Sequence, residues 1–227
     1  KTQTRCTADV SQELRTPMTV IKAEVGLMHL TGTIDDEAIG NIEREVDRLT
    51  RLVGDLLLLS QAESGRLMLN MTEVDLDTVL LEVFQQARTL ASDKLTVELS
   101  EIDQVQIIGD RDRLKQLLLN LAANAIQYTP AGKKVSLGLR RGESQVELFV
   151  QDTGPGIPSK DIPHIFDRFY RAERSRKRSA TSGFGLGLSI ADWIVKKHNG
   201  KIDVASVEGE GTLFTVRLPL VQPGSDN

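Results

Sequence analysis

The sequence DTGPGI, residues 152–157, follows a stretch from Gln145 to Gln151 in which apolar and polar residues alternate. This alternation is typical of a β-strand with one buried face, so Asp152 is predicted to lie at the end of a strand. A carboxylate there can accept a hydrogen bond from an exocyclic amine, and Gly154 and Gly156 permit a backbone turn that side chains would obstruct. A plain surface turn is the alternative interpretation.

A second glycine-rich stretch, GFGLGL at residues 183–188, leads directly into a helix predicted from about Leu188 to Lys197. Its glycines permit close approach of a phosphate, and the amide groups and dipole of a helix start favour an anion. Rossmann folds and protein kinases use similar glycine repeats. Because this repeat does not follow a strand that opens a parallel βαβ unit, a Rossmann site is disfavoured.

Two asparagines, Asn120 and Asn124, lie one turn apart in a helix predicted to be capped by Asp110 and to run through Gln127. Residues with this spacing share one face of a helix. Taken alone, such a pair is more often a solvated face than a binding site.

The sequence FDRFYR at residues 166–171 precedes a basic stretch that also contains serine and threonine. The two phenylalanines are expected to pack in the core. The basic stretch is suited to closing over a polyphosphate, and a solvated charge run is the alternative. Its members are Arg171, Arg174, Arg176, Lys177 and Arg178.

The N-terminal part of the chain carries two helical patterns, separated by a turn predicted at residues 31–33 with Asp35 or Asp36 as N-cap. An isolated hairpin would leave their apolar stripes wet, so pairing with a second copy into a four-helix bundle is predicted. A hairpin packed on its own C-terminal domain is the alternative. The stripes are Val10, Leu14, Ile21, Val25 and Met28, and Ile42, Val46, Leu49, Val53 and Leu56.

Beyond Ser64 and Gly65, which are predicted to end the second helix, the pattern changes to mixed helix and strand. Asp77 is predicted to cap a helix that ends near Ala91. Strands are predicted at residues 95–99, 105–108, 134–139, 145–151, 201–206 and 212–218.

The order of these motifs, together with SQELRTP at residues 11–17 and GEGTLF at residues 209–214, resembles the catalytic core of sensor histidine kinases. The resemblance spans essentially the whole chain and implies an α+β fold. A helical hairpin that forms a dimeric four-helix bundle would precede a two-layer α/β sandwich of the gyrase type that binds ATP. The expected boundaries are 1–64 for the dimerisation and phosphotransfer hairpin, 65–71 for a linker, 72–222 for the ATP-binding domain and 223–227 for a tail.

The resemblance also implies roles for individual residues, with ATP and Mg²⁺ as cofactors. Asp152 would accept a hydrogen bond from the adenine amino group, and the carbonyl oxygen of Asn124 would coordinate Mg²⁺, with Asn120 as a second candidate. The implied nucleotide-binding residues are Asn120, Asn124, Tyr128, Asp152, Gly154, Gly156, Arg171, Gly183, Gly185, Leu186, Gly187, Leu188 and Thr212.

Position 12 departs from the family, in which a histidine there accepts phosphate from ATP; this chain has Gln12. A neutral imidazole nitrogen is nucleophilic near neutral pH, whereas the lone pair of an amide nitrogen is delocalised into its carbonyl. By resemblance, Glu13 would hold the other imidazole proton and Thr16 would orient water for dephosphorylation of a partner. Pro17 is expected to bend the helix beside this position.

Two further positions differ from the family pattern, and three histidines lie elsewhere in the chain. Gln127 replaces a lysine that contacts phosphate in many members, and Ser182 stands where the glycine box often begins with glycine. His29, His164 and His198 lie outside any matching segment and are interpreted as ordinary surface or packing residues.

Two functions remain open from the sequence. The first is a sensor kinase core that lacks its acceptor, through engineering or natural change. The second is a pseudokinase or nucleotide-gated module that docks or dephosphorylates a response regulator. A gyrase-like ATPase is disfavoured because those proteins lack the segment from Glu13 to Pro17 and the attached hairpin. A second copy of the chain and a receiver domain are the expected partners.

Composition limits the remaining possibilities. The net charge of -4 argues against nucleic-acid binding, and the single Cys6 excludes an intrachain disulfide framework and fits a reducing compartment. No stretch approaches the roughly 18 consecutive apolar residues of a membrane span. No membrane contact is therefore expected for this segment, whereas the resemblance implies a membrane-anchored full-length protein with this portion in the cytoplasm.

Overall fold

The computed structural model describes residues 2–172 and 183–220, with side chains from Val10 onward, and divides the chain into two compact units, residues 1–67 and 68–227. The division falls inside the segment 65–71 that the sequence predicts as a linker. Most of the predicted basic stretch, with Ser182 and the predicted tail 223–227, lies outside the described residues. Among the residues described, no helix has the length and apolar character needed to cross a membrane.

The first unit is a hairpin of two long helices, α1 (Thr2–Thr31) and α2 (Asp36–Glu63). Asp35 caps α2, because its Oδ1 accepts a hydrogen bond from the amide of Glu37 at 3.0 Å. Past the C-cap residue Ser64, Gly65 adopts a φ of 66°, a left-handed conformation that favours glycine. The predicted helical hairpin and its turn are confirmed.

The interior of the single hairpin includes residues of α2 that lie outside the predicted stripe. Ala38, Leu52 and Leu59, which are spaced by multiples of seven residues, are buried. On the predicted stripe, Val46 and Val53 remain 47% and 49% exposed. Helix α2 therefore carries apolar residues on more than one face, and the single hairpin leaves one of them open to solvent.

Polar side chains and one proline are also partly or fully buried in the hairpin. The Nδ2 atom of Asn41 on α2 donates a hydrogen bond to Glu24 on α1 at 2.8 Å. Pro17 is buried within α1. Burial raises the pKa of the Asp55 carboxyl on α2 from 3.8 to about 6, although the charge of Arg51 acts in the opposite direction.

The second unit alternates strands and helices, and most predicted elements are confirmed. Its elements are β1 (Thr72–Asp75), α3 (Leu76–Ala91), β2 (Thr96–Ile102), β3 (Gln106–Gly109), α4 (Arg111–Tyr128), β4 (Lys134–Arg141), β5 (Gln145–Asp152), a short 3₁₀ helix (Ile162–His164), α5 (Gly187–Lys197), β6 (Lys201–Val207) and β7 (Gly211–Pro219).

Five of these strands form one mixed sheet in the order β2-β4-β5-β7-β6. Only the β2 and β4 pair is parallel, and the other neighbours are antiparallel. Strands β1 and β3 form a separate antiparallel pair. The helices pack against the sheet to form a two-layer α/β sandwich, whose core includes the fully buried Leu118, Leu148 and Phe214.

The predicted cap of α3 was wrong. The N-cap is Asp75, and α3 begins at Leu76, so Asp77 lies in the first turn of the helix. The amide of Leu76 donates a hydrogen bond to the carbonyl of Val105 at 2.9 Å, which fixes the point where the chain leaves β1. Strand β1 was not predicted, because its four residues pair with a strand more than thirty residues later.

The partly buried Asp55 makes the stability of the hairpin depend on pH. Because its pKa is raised in the folded state, the folded chain binds a proton more tightly than the unfolded chain between about pH 4 and 6. Stability is therefore expected to fall as pH rises through this window. Asp55→Asn should raise stability above about pH 6 by about 1 kcal/mol, a value reduced for partial solvent contact.

Thermal unfolding of both proteins, followed by circular dichroism between about pH 4 and 8, measures this difference. Asp47→Asn is the matched control, since Asp47 is an exposed aspartate on the same helix. Equal midpoints for wild type and Asp55→Asn across the whole range would contradict the assignment.

Candidate nucleotide-binding site

Asp152 is a buried carboxylate at the C-terminal end of β5, with only 6% of its surface exposed. Its Oδ1 accepts a hydrogen bond from the amide of Gly154 at 2.8 Å. Burial raises the pKa of the Asp152 carboxyl above its ordinary value, while hydrogen bonds from the amides of Gly154 and Thr212 lower it. The backbone thus fixes this acceptor at the end of the central strand of the sheet.

The turn after Asp152 has no room for side chains at its two glycines. A Cβ at Gly154 would lie 2.6 Å from Asp152 Oδ1 and 3.3 Å from the carbonyl oxygen of Tyr128. Gly156 has a φ of 69°, and a Cβ there would lie 2.1 Å from the carbonyl oxygen of Val207. Both positions therefore require glycine for steric reasons.

A second turn, between β6 and β7, closes against the first. Gly211 has a φ of 137°, and a Cβ on it would lie 2.0 Å from the carbonyl oxygen of Asp152. The Ser206 hydroxyl accepts a hydrogen bond from the amide of Ile157 and donates one to the carbonyl of Gly211, both at 2.8 Å. The buried hydroxyl of Thr212 lies 3.0 Å from the same Ser206 hydroxyl.

Ser206 was missed by sequence reasoning. The available signal was its position in a predicted strand six residues before Thr212, across a turn that contains two glycines. A hydroxyl at that place can serve both turns at once, because it donates one hydrogen bond and accepts others.

Helix α4 presents Asn120, Asn124 and Tyr128 at intervals of four residues, all of them half-buried. The Nδ2 atom of Asn120 donates a hydrogen bond to the carbonyl of Gly187 at 3.1 Å. The side chain of Asn124 makes no hydrogen bond within the part of the chain that the structure describes. Its amide oxygen is therefore open to an external ligand.

The donor set of α4 suits magnesium better than a softer metal. No group of three or more histidine, cysteine, aspartate or glutamate side chains that could hold an ion occurs among the described residues. The carbonyl oxygens of Asn120 and Asn124 are hard ligands, and Mg²⁺ is commonly held by few protein oxygens together with phosphates and water. The residues present therefore fit a magnesium ion that arrives with a polyphosphate.

Helix α5 begins at Gly187, where a Cβ would lie 3.6 Å from Asn120 Cγ. The N-cap residue Leu186 is buried and makes no side-chain cap. The amides of the first turn thus have no side-chain cap and form a start suited to an anion. Gly183 is exposed, and Leu188 is half-buried.

Two segments meet where the chain enters and leaves the undescribed residues 173–182. The amide of Phe169 donates a hydrogen bond to the carbonyl of Gly185 at 3.0 Å. Gly185 has a φ of 73°, and a Cβ on it would lie 2.8 Å from the carbonyl oxygen of Tyr170. The Tyr170 hydroxyl donates a hydrogen bond to the buried Asp161 at 2.8 Å, and Arg171 follows as a half-buried residue.

The two predicted aromatic packing residues differ in detail. Phe166 is half-buried, and its ring packs edge-on against the buried Phe214 with ring centroids 6.5 Å apart. Phe169 is half-buried and has a φ of 60°, which is unusual for a residue with a large side chain. Its backbone contact with Gly185 accounts for this conformation.

The residues predicted for phosphotransfer belong to the first unit. Gln12 and Thr16 are exposed on α1, and Glu13 is half-buried. Of the three histidines, His29 and His164 are exposed, while His198 is buried and accepts a hydrogen bond from the amide of Asp110.

Comparison with known families supports both halves of the architecture. Residues 109–222 match the family described as histidine kinase-, DNA gyrase B-, and HSP90-like ATPase. Residues 2–65 match the His Kinase A (phospho-acceptor) domain.

Curated relatives include the signal transduction histidine-protein kinase BaeS of Escherichia coli, which is 39% identical over 216 residues. That match covers 94% of this chain and 46% of the relative. Sensor histidine kinase RppB of Synechocystis is 40% identical over 229 residues, covering 96% of this chain and 49% of the relative. The chain thus spans about half the length of the curated relatives that it matches.

Solved structures show the same architecture. The Acinetobacter baumannii histidine kinase AdeS is similar with a TM-score of 0.74 and 28% identity, over 92% of this chain and 98% of that one. Histidine kinase ThkA, solved in complex with response regulator protein TrrA, gives a TM-score of 0.72 and 26% identity, over 95% and 61% of the two chains. Both family models match, and relatives of 39% and 40% identity are sensor histidine kinases. This chain therefore belongs to the sensor histidine kinases of two-component signalling.

Proposed function

We propose that this chain is a kinase core that binds Mg-ATP and cannot phosphorylate itself. The observation that carries the proposal is Gln12, which is exposed on α1 of a phosphoacceptor-type hairpin while the second unit retains the buried Asp152. A form with histidine at position 12 would autophosphorylate and pass phosphate to an aspartate of a response regulator.

The nucleotide would be held at two ends. Asp152 accepts a hydrogen bond from the adenine amino group, and its carboxylate is already oriented by backbone amides. Guanine has a carbonyl oxygen in place of that amine, so two acceptors would face each other and GTP would be rejected. Thr212 lies beside Asp152 in the register of β5 and β7 and completes the base end of the site.

The phosphate end would be formed by α4 and by the start of α5. The amides near Gly187 and Leu188 favour an anion, and the carbonyl oxygen of Asn124 coordinates magnesium. A bound Mg²⁺ would supply charge neutralisation for the phosphates. Arg171 and the glycines from Gly183 to Gly187 border this end and complete the nucleotide-binding set.

A second candidate function is a module that docks or dephosphorylates a response regulator without forming phosphohistidine. The exposed Thr16, one helical turn after Gln12, favours it, because its hydroxyl is available to orient a water molecule. The neighbour ThkA was solved with a response regulator, which supports a receiver domain as partner in both candidate functions.

The proposal includes a homodimer and a cellular context. The open apolar face of α2 would be covered by a second copy in a four-helix bundle, with residues 65–71 as the linker to the ATP-binding domain. The family resemblance supports placing this segment on the cytoplasmic side of a membrane-anchored sensor.

The first test of the proposal is ATP binding. Titration calorimetry with ATP and magnesium is expected to show binding by the wild type and weaker binding, by about tenfold or more, for Asp152→Ala, which loses a hydrogen bond to a charged acceptor. Asp93→Ala, which changes an exposed aspartate in the same unit, is the control. Undiminished affinity in Asp152→Ala would remove this residue from its proposed role.

The second test restores the acceptor. Gln12→His is expected to incorporate acid-labile phosphate from γ-labelled ATP, while the wild type stays unlabelled, because positioning and magnesium cannot replace an absent nucleophile. The double variant Gln12→His with Asp152→Ala is the control, since it carries the acceptor without the base contact. Labelled wild type, or an unlabelled revertant that still binds ATP, would refute the assignment of position 12.

The third test concerns the dimer. Sedimentation at micromolar concentration is expected to show a dimer for the wild type and a shift toward monomer for the double variant Val46→Glu and Val53→Glu, which places charge on the open face. Glu43→Gln, an exposed polar change on the same helix, should leave the dimer intact. A wild type that sediments only as monomer would exclude the bundle.

A further inference from the structure

A buried polar node joins three parts of the second unit at the end of α4 remote from Asn124. Asp110 is 9% exposed and His198 is 4% exposed. The backbone amide of Asp110 donates a hydrogen bond to Nε2 of His198 at 2.9 Å, and Nδ1 of His198 lies 2.8 Å from the carbonyl oxygen of Ile194. With one nitrogen accepting and the other donating, the neutral imidazole is satisfied in a single tautomer.

The carboxylate of Asp110 makes two further contacts. Its Oδ1 caps α4 by accepting a hydrogen bond from the amide of Arg113 at 3.1 Å. Its Oδ2 accepts one from the amide of Asn70 at 3.0 Å, in the segment that precedes β1. The node therefore connects the start of α4, the end of α5 and the chain that follows the hairpin.

The residue before Asp110 also packs closely against His198. Gly109 precedes Asp110, and a Cβ on it would lie 3.1 Å from Cδ2 and 3.2 Å from Nε2 of His198, and 2.7 Å from Leu114 Cδ1. A larger residue at position 109 would press on the tip of the Leu114 side chain and on the imidazole of His198. Glycine is favoured at this position by close packing rather than by a turn.

The two helices run antiparallel and touch again at the nucleotide end. Asp110 and Asn120 are separated by about 15 Å along α4, and Gly187 and His198 by about 16 Å along α5, at about 1.5 Å per residue. The hydrogen bond from Asn120 to the carbonyl of Gly187 closes the second end. The two contacts are therefore separated by nearly equal lengths of α4 and α5, and they hold the helix pair at both ends.

We propose that His198, which accepts a hydrogen bond from the backbone amide of Asp110, is a positioning residue that sets the axial register of α4 against α5 and so holds the phosphate end of the nucleotide site. This inference rests on the proposed ATP binding. Sliding one helix along the other would separate Asn120 from Gly187 and displace Asn124, which lies one turn further along α4, relative to the first turn of α5. The base end, formed by Asp152 and Thr212, depends on strand register instead and should be insensitive to this node.

The experiment uses the full chain and three variants. His198→Leu keeps an apolar packing volume and leaves the Asp110 amide without its acceptor, whereas His198→Gln provides a side-chain oxygen that can accept from that amide. Ser136→Ala is the matched control, because the buried Ser136 hydroxyl donates to Glu98 on the neighbouring strand β2 and not to a residue of α4 or α5. Binding of Mg-ATP and of adenosine is measured for each protein.

The expected pattern separates positioning from general loss of structure. In His198→Leu the dissociation constant for Mg-ATP should rise roughly tenfold while that for adenosine stays within about twofold. Both constants should return to within about twofold of wild type in His198→Gln and stay there in Ser136→Ala. Unchanged ATP affinity in His198→Leu, equal weakening of ATP and adenosine, or no rescue by glutamine would each overturn the proposal.

Amide hydrogen exchange tests the node without nucleotide. Exchange of the hydrogen-bonded amides of α5 from Ile190 onward and of α4 around Asn120 should quicken in His198→Leu and recover in His198→Gln. Unchanged exchange would contradict the proposed role of His198. A wild type that fails to bind ATP while showing this exchange pattern would refute the proposed function and leave the helix register intact. The two failures are therefore distinguishable.

Discussion

The architecture of the second unit depends on one buried carboxylate at the end of a strand. Asp152 retains its place because two backbone amides hold it. Burying a neutral polar group without a partner costs on the order of 2–7 kcal/mol, and burying an unpaired carboxylate costs more. Those amides reach it only if the turn after β5 and the turn before β7 fold tightly against it. Gly154 and Gly211 follow from this requirement, since a Cβ on either would collide with Asp152 itself.

Local signals predicted much of this arrangement from the sequence. Alternation before Asp152, the glycine spacing after it and the cap at Asp110 each act within a few residues, and each element formed where it was predicted. The features that were not predicted depend on contacts between residues that are far apart in the sequence. Ser206 serves an amide 49 residues away, and His198 accepts from an amide 88 residues away. The cap of α3 was misplaced for the same reason, because the bond between Leu76 and Val105 decides where that helix starts.

The hairpin shows a different limit of sequence reasoning. A helix with apolar residues on two faces matches an apolar stripe in more than one way, so periodicity alone does not tell which stripe covers its neighbour and which stays open. Val46 and Val53 matched the pattern, yet Leu52 and Leu59 fill the interior. The choice is made by packing against α1, where the polar pair of Asn41 and Glu24 must also meet.

Exposure of Gln12 explains how the acceptor position can change without damage to the fold. A side chain on the open surface of α1 has no packing role in the hairpin, so the identity of residue 12 is a chemical requirement and not a structural one. The carboxylate, glycines and helix starts of the nucleotide site lie in a unit with its own core, fastened by its own buried contacts. Under the proposed function, the absence of a nucleophile at position 12 removes one chemical step, while ATP binding is left to the residues of the second unit. The same separation is what the second candidate function requires, because a nucleotide-gated docking module needs nucleotide binding in one unit without phosphotransfer to the other.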